Sequence, residues 1–424
     1  MPGARAALPL LAAAAWVACE LGRGRLFTGS PVFIGNPWAL LGYSQVGWDA
    51  VTQVAALSGV YGIGFAVAAV NAGLAEGWLL LRGRGMTARD VAVGGVASLM
   101  PVLASLAYGV AVLPVDADGA EENQSEAVPI AIVQGNLSTG SRWSSDLYGE
   151  NLETYLRLTL RAIRESAPEV VFWPEAAMTF SLENEPLYRR SIASVLQPFG
   201  VELVAGGTRW ESDADASAYF NTIFAVSPPG EIVDRYDKQY LVPFAEHFPL
   251  RSIEFLRRSF ERVRVFQPGR SPAPLETRLG PAGVVTCNEA MLPEVVGERV
   301  AEGAVVLVNP SNDTWIPEPR FAELQFDIVS LRAVEQRRWL VRASTAGPSA
   351  IIDPWGRVQA RTAMDERTTL QGSVAPRTGR TLYSRVGDLF AFACVGLVAG
   401  VCVAPVSWAR HWRSAARRAS DRSS

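Results

Sequence analysis

Long runs without a charged residue constrain this chain more than any other feature. Residues 50–75, 91–115 and 389–409 are uncharged over 26, 25 and 21 positions. Each run exceeds the roughly 20 residues that a helix needs to cross the hydrocarbon core of a bilayer. A fourth run, residues 6–19, is shorter, and we interpret it as a short or incomplete membrane helix. The sequence therefore predicts about three membrane helices in residues 1–115 and a further one in residues 385–409.

The placement of arginine predicts how these helices are oriented. Three arginines lie between the runs at residues 50–75 and 91–115, and five more lie in the basic tail at residues 410–424. Positive residues beside membrane helices favour the cytoplasmic side. Two arginines after the short run at residues 6–19 (Arg23, Arg25) would lie outside, against this rule, but the two larger clusters agree. We therefore expect a multi-pass protein of the cytoplasmic (inner) membrane, with residues 116–384 forming a domain on the outer (periplasmic) side.

Composition excludes several kinds of partner and site. A net charge of -3 and a pI near 5.7 argue against nucleic acid as a main partner. Three of the four cysteines lie in very apolar runs, so Cys287 is the only cysteine of the large domain. That domain can form no internal disulfide and no CxxC zinc site. With only two histidines in the chain, a multi-histidine metal centre is also excluded, and we expect no metal site.

The sequence pattern of the large domain predicts an α/β fold. Residues 128–134, 169–173 and 283–287 are short apolar runs typical of strands, and residues 151–166 have the spacing of a helix. In the middle of the domain, strands pair as hairpins around the turn at residues 228–230. Strands that alternate with helices predict sheets covered by helices.

Three segments at predicted strand ends could carry chemistry. Glu175 follows a predicted buried strand and a proline, a position that would suit a general base. Taken alone, Glu175 could equally be an acidic residue at a helix N-terminus. Lys238 is the single lysine beside 38 arginines, and Glu246 follows eight residues later. An ammonium differs from a guanidinium in size and shape, so this lysine marks either a specific requirement or compositional drift. Cys287, with Glu289 two residues on, would by itself be interpreted as a buried apolar cysteine.

Together these residues make a sharper hypothesis. A thiol nucleophile needs a base, and a glutamate in an apolar pocket can act as one. A lysine can then stabilise the oxyanion of a tetrahedral intermediate. We therefore predict that Glu175, Lys238 and Cys287 form one catalytic site.

The order of these residues resembles the nitrilase superfamily, and within it the apolipoprotein N-acyltransferase family. Matching segments in the large domain are residues 133–136, 173–175, 241–246, 311–315 and 332–335, together with Lys238, Cys287 and Glu289. Matches near the membrane runs are residues 36–38, 41–45 and 381–387.

The resemblance implies a four-layer α/β/β/α sandwich flanked by transmembrane helices. It implies a cysteine thioester that carries an acyl chain from a phospholipid to the N-terminal amine of a diacylglyceryl-cysteine lipoprotein, with no cofactor and as a monomer. By the same resemblance, Glu246 and Glu289 would be supporting residues, and Trp143 and Asn288 would contact substrate.

Three departures from the family's pattern stand beside this resemblance. Ala245 stands where the family usually has a glycine, and Asn288 where it has a tyrosine. The chain also has about three fewer N-terminal membrane helices than the family, which suggests a misassigned start codon or a shortened variant. Two alternatives therefore stay open. One is a membrane-anchored amidase or nitrilase that uses water as acceptor, and the other is a non-catalytic homologue that binds lipoproteins.

Overall fold

The computed structural model describes residues 7–25, 37–83, 87–114, 127–138, 145–213, 216–247, 265–314 and 318–403. Its N-terminal part is helical: α1 (Leu8–Arg25), the short α2 (Asp49–Thr52), α3 (Ala55–Leu81) and α4 (Ala88–Val112). Two of these, α3 and α4, are long and apolar enough to cross a membrane. Glycine interrupts α3 at Gly59, where φ is 65°, a backbone conformation that favours glycine.

Within the described residues, eleven strands form two sheets. The strands are β1 (Val128–Gln134), β2 (Val170–Phe172), β3 (Glu202–Asp213), β4 (Ala216–Val226), β5 (Ile232–Asp237), β6 (Ala282–Val284), β7 (Val306–Ser311), β8 (Leu340–Ser344), β9 (Ala350–Ile352), β10 (Val358–Arg361) and β11 (Thr368–Val374). The first sheet has the order β11-β1-β2-β3-β4-β5, and the second has the order β10-β9-β8-β7-β6. In each sheet three neighbouring strands are parallel, β1-β2-β3 and β6-β7-β8, and the remaining strand pairs are antiparallel.

Alternation along the strands sets the layers. In β1, Ile130 and Ile132 point towards the second sheet, where they pack with residues such as Val284 and Val308. Ala131 and Val133 point the other way, against a helical layer. This period of two is what a strand buried on both faces requires, and it produces a core between the sheets.

Helices cover both outer faces. The first sheet carries α5 (Tyr148–Ser166) and α6 (Pro186–Leu196), and the second carries α7 (Pro293–Ala301) and α8 (Pro319–Gln336). The expected α/β/β/α sandwich flanked by apolar helices is confirmed. The chain then continues through α9 (Leu382–Val386) into the apolar helix α10 (Leu389–Val403).

The sandwich packs directly on the apolar helices. Ile328, Leu331 and Val334 on α8 share one hydrophobic cluster with α1, α3 and α10. Helix α8 therefore has two buried sides, one against the second sheet and one against the apolar helices.

Candidate active site

Glu175, Lys238 and Cys287 come together at one cavity. They line a space of about 170 Å³. Its walls come from strands β3 and β4, the loops after β2 and β5, and the turn after β6. The other residues around this cavity include Asn221, Glu246, Ala245, Phe266 and Asn312. The three residues lie 63 and 49 positions apart along the chain. The first sheet brings Glu175 and Lys238 together, and the stacking of the second sheet on the first adds Cys287.

The position of Glu175 is fixed where the backbone after β2 comes close to the backbone of β3. The Trp173 N–H donates to the Val204 carbonyl at 2.9 Å, and the Pro174 carbonyl accepts from Gly206 N at 3.2 Å. A Cβ on Gly206 would lie 2.5 Å from that carbonyl oxygen, so only glycine permits this contact. Glu175 is consequently held on a rigid turn with its carboxylate buried.

Lys238 lies between two carboxylates. Its Nζ donates to Glu175 Oε1 at 3.1 Å and is 3.0 Å and 2.9 Å from the two oxygens of Glu246. The side chain is 1% exposed. Burial alone would lower the pKa of this ammonium, but Glu175 and Glu246 outweigh it and raise the pKa well above the ordinary value. Lys238 is therefore a fixed cation at the cavity.

Asn221 on β4 holds the two carboxylates beside the lysine. Its Nδ2 donates at 2.7 Å to Glu175 Oε1 and at 2.7 Å to Glu246 Oε1. A side-chain amide has two N–H groups, and here both have a charged acceptor. Sequence reasoning missed this residue. The only available signal was an amide side chain next to Thr222 in a mostly apolar strand.

Glu175 has the character of a base. Burial raises the pKa of its carboxyl, the positive charge of Lys238 opposes this effect, and the negative charge of Glu246 adds to it. A carboxylate that prefers its proton more than usual is better matched to a thiol than an ordinary glutamate.

Cys287 opens a 3-10 turn, which spans Cys287–Met291. The prediction that residues 283–287 form a strand was wrong at its end, because β6 stops at Val284 and Cys287 has φ 51°, in the left-handed region. Burial, with a contribution from the charge of Glu175, raises the pKa of the thiol to about 12, and Lys238 opposes this only in part. The thiol is thus protonated near neutral pH and needs a neighbouring base to become a nucleophile.

Glu289 ties the cysteine turn to the segment after Lys238. One carboxylate oxygen accepts from Thr286 N at 2.8 Å, at the start of the turn. The other accepts from Gln239 N at 2.8 Å, Tyr240 N at 3.0 Å and the Tyr236 hydroxyl at 2.8 Å. Glu289 therefore fixes the position of Cys287 relative to Lys238 without lining the cavity.

The remaining predicted residues are placed as follows. Glu246 lines the cavity, and its Oε2 accepts from Val242 N at 2.7 Å. Asn288 is not among the residues that line the cavity, and its Nδ2 donates to the Tyr240 carbonyl at 3.4 Å. Trp143 lies outside the described residues.

A second buried network lies behind the sulfur. Arg342 on β8 donates to both oxygens of Asp313 at 3.2 Å and to Gln325 Oε1 at 2.9 Å. Gln325 Nε2 in turn lies 3.9 Å from Cys287 Sγ. Sequence reasoning missed Gln325 and Arg342, because they come from a helix and a strand that carry no local sign of a site.

Comparison with known proteins gives consistent matches. The carbon-nitrogen hydrolase family matches residues 129–383, and the apolipoprotein N-acyltransferase N-terminal domain matches residues 2–73. The apolipoprotein N-acyltransferase of Geobacter metallireducens is 33% identical over 385 residues, which is 90% of this chain and 71% of that protein. The enzyme of that name from Caulobacter vibrioides is 30% identical over 93% of this chain and 72% of its own length.

The match to another relative is shorter, and the solved structures are more distant. The Brucella melitensis protein of the same name is 32% identical over 79% of this chain and 62% of that protein. Among solved structures, Nit3 of Saccharomyces cerevisiae, a member of the nitrilase superfamily, is 20% identical over 59% of this chain and 91% of its own, with a TM-score of 0.44.

Proposed function

Because the chain belongs to the apolipoprotein N-acyltransferase family, we propose that it transfers an acyl chain from a phospholipid to the N-terminal amine of diacylglyceryl-cysteine lipoproteins. The relatives support lipoprotein N-acylation in general. The phospholipid donor and the thioester intermediate are our proposal. The observation that carries them is the meeting of a buried thiol, a carboxylate base and a buried ammonium at one cavity.

In the first half-reaction, Glu175 takes the proton of Cys287 while the sulfur attacks the carbonyl carbon of a phospholipid ester. Protonation of Glu175 removes the negative charge that Lys238 has beside it, leaving the ammonium paired with Glu246 alone. Its freed N–H can then donate to the oxyanion of the tetrahedral intermediate. The carbon–oxygen bond breaks, Glu175 returns the proton to the leaving oxygen, and a lysophospholipid departs from the acyl-enzyme.

In the second half-reaction, the α-amine of the lipoprotein attacks the thioester carbonyl. Glu175 takes a proton from the attacking amine, and Lys238 again stabilises the oxyanion. The carbon–sulfur bond breaks, and the sulfur leaves with the proton that Glu175 returns to it. The products are an amide on the lipoprotein and a free thiol, so every proton is accounted for without another reactant.

The membrane part of the proposal rests on exposed apolar helices. Helix α4 presents exposed Val96, Met100 and Val110, and α10 presents exposed Phe392 and Leu397. Such a surface suits lipid and would be unusual in water. We propose that these helices lie in the inner membrane as part of a multi-pass region, with the sandwich on its periplasmic side, where the lipid and lipoprotein substrates would reach it.

Reporter fusions test this location. A reporter that is active only outside the cytoplasm should be active when fused after residue 115 and inactive when fused after residue 413. The reverse pattern would contradict the proposed orientation.

A trapping experiment tests the reaction. Full-length protein in detergent, incubated with phospholipid carrying a labelled acyl chain, should form a labelled adduct that hydroxylamine releases. Cys287→Ala should form none, and Glu175→Gln should fold but lose at least about 100-fold in the rate of adduct formation, as the loss of a general base predicts. Cys394→Ala, which removes a buried thiol from α10, is the matched control and should label normally.

The same experiment can contradict the proposal. A wild-type protein that matures lipoproteins without any adduct would exclude the thioester. Labelled fatty acid released into water, with no N-acylated product when a lipoprotein is supplied, would favour a hydrolase.

A further inference from the structure

Gln325 is the one side chain outside the cavity's own lining whose polar group the described structure directs at the reacting sulfur. It lies on α8, is 1% exposed, and its Nε2 is 3.9 Å from Cys287 Sγ and 4.0 Å from Met291 Sδ. Hydrogen bonds in an unliganded catalytic site are often long and shorten when charge develops. The position of Gln325 therefore suits an interaction that strengthens once the thiol ionises.

The direction in which the Gln325 amide points follows from chemistry. Its other end, Oε1, accepts from Arg342 Nη2 at 2.9 Å. A guanidinium can only donate hydrogen bonds, so the amide atom beside it must be the oxygen. The NH₂ group is consequently the end that faces sulfur, and a rotation of the amide by 180° would place two donors against each other.

Arg342 is itself held from several sides. Its Nη2 contacts both oxygens of Asp313, its Nε donates to the Pro348 carbonyl at 3.2 Å, and its Nη1 donates to Asn309 Oδ1. Both Arg342 and Asp313 are buried, and Ser311 Oγ adds a hydrogen bond to Asp313 at 2.9 Å. The guanidinium therefore has little freedom to release Gln325.

An N–H donor at the sulfur acts differently on the two protonation states. A thiol sulfur is a weak acceptor, whereas a thiolate accepts a charge-assisted hydrogen bond. The donor thus favours the thiolate, in opposition to the burial that raises the pKa of Cys287. It acts both when the thiolate forms and when it leaves the thioester.

We propose that Gln325, oriented by Arg342, is a further catalytic residue that donates a hydrogen bond to Cys287 Sγ and stabilises its thiolate. This inference rests on the proposed thioester chemistry for its role in turnover. The contact with sulfur can be tested without turnover, so the two can fail separately.

The test compares Gln325→Leu with the matched control Gln336→Leu in the full-length protein in detergent. Gln336 is also a glutamine on α8, is fully buried, and has no hydrogen-bond partner for its amide among the described residues. The rate constant for alkylation of Cys287 by iodoacetamide is measured from pH 7 to pH 10 by mass spectrometry of the Cys287 peptide. Thioester formation with labelled phospholipid is measured in parallel.

Gln325→Leu should lower the alkylation rate constant about threefold to tenfold and move its pH profile to higher pH, because less thiolate is present at each pH. Thioester formation should fall at least as much, and Gln336→Leu should behave as wild type. Should Gln325→Leu unfold, Gln325→Met, which has an unbranched chain of similar length, tests the same loss of the donor.

Two results would overturn the proposal. One is a folded Gln325 variant with an unchanged pH profile and rate. The other is an equal loss in Gln336→Leu, which would assign the effect to packing of α8. If instead the Gln325 variant shifts the alkylation profile while wild-type protein forms no thioester, the contact with sulfur stands and the proposed acyl transfer fails.

Discussion

Two buried ion pairs in this molecule show how similar charges can serve different purposes. In the first, Lys238 lies between Glu175 and Glu246 at the edge of a cavity. In the second, Arg332 Nη1 lies 2.9 Å from Glu335 Oε2 on the same helix, and both side chains are fully buried. The first pair faces a space that a substrate could enter, whereas the second is enclosed where α8 meets the apolar helices.

The second pair connects the sandwich to the apolar helices, and we call the Arg332–Glu335 pair the joint. Glu335 Oε1 accepts from the backbone N–H of Val60 at 3.0 Å, and Arg332 Nη2 donates to the Tyr43 hydroxyl at 2.9 Å. The Val60 N–H is available because Gly59 interrupts α3, and a Cβ on Gly59 would lie 2.5 Å from the Tyr383 ring. Glu335 thus provides a hydrogen-bond acceptor for a backbone N–H that the interruption of α3 leaves without a helical partner inside an apolar interface.

The cations differ as these surroundings require. A guanidinium is planar and presents several donors in fixed directions, which suits Arg332 because it must contact two groups at once. An ammonium is compact and can redirect its three N–H groups, which suits Lys238 if one of them must turn to an oxyanion. The proposed role of Lys238 would explain why a chain that otherwise uses arginine has a single lysine.

Replacing each cation by the other type tests this comparison, and we expect the largest effect at the cavity. Lys238→Arg keeps the charge but places a larger, planar group between Glu175 and Glu246. Loss of one oxyanion donor costs roughly 10²–10³ in rate in other enzymes, and we expect a loss of thioester formation at least that large. Adduct formation is measured together with the melting temperature, so that a folded, inactive protein can be recognised. Activity within about fivefold of wild type would make Lys238 only a structural charge.

The reciprocal exchange, Arg332→Lys, should give the opposite pattern. Lysine cannot reach Glu335 and Tyr43 together in the geometry of a guanidinium, and the lost hydrogen bond should cost about 1–3 kcal/mol of stability. We expect a lower melting temperature and near-normal thioester formation per folded molecule. A full loss of activity in a protein of unchanged stability would show that the joint takes part in the chemistry.

The sequence predicted the parts of the fold and site that depend on local pattern. Strand β1 has the predicted limits, because its residues alternate regularly between the two neighbouring layers. Glu175, Lys238 and Cys287 could be proposed because each lies in a short recognisable segment, and the rarity of lysine marked one of them. Whether these residues have the proposed roles is a matter for the experiments above.

What the sequence could not predict depends on contacts between distant segments. Strand β3 runs through the glycines at 206 and 207 as far as Asp213, because β4 pairs antiparallel with it up to that residue. Asn221, Gln325 and Arg342 are polar residues on three separate elements, and their roles exist only once the two sheets are stacked. Likewise, the partner of Glu335 is a backbone N–H 275 residues away.

The smallest expected effect concerns the response of the joint to pH. Burial raises the pKa of Glu335 from 4.5 to about 7, although Arg332 opposes this, and the charges of Asp388 and Glu294 add to it. The folded state therefore binds a proton more tightly than the unfolded chain between these two pH values. Stability contributed by this group is then greatest below pH 4.5 and falls as the pH rises to about 7.

Comparison of wild type with Glu335→Gln isolates this effect, because the other titrating groups are common to both proteins. The difference in stability should shift by about 1–3 kcal/mol in favour of the variant as the pH rises from 4.5 to 7, and should level off above about pH 8. Melting temperatures in detergent across this range provide the measurement, with Glu323→Gln, an exposed carboxylate on the same helix, as the control. A shift in favour of wild type with rising pH would mean that Arg332 holds Glu335 ionised throughout. The joint would then be a permanent ion pair, and it would contrast more sharply with Glu175, which we propose accepts a proton at the cavity.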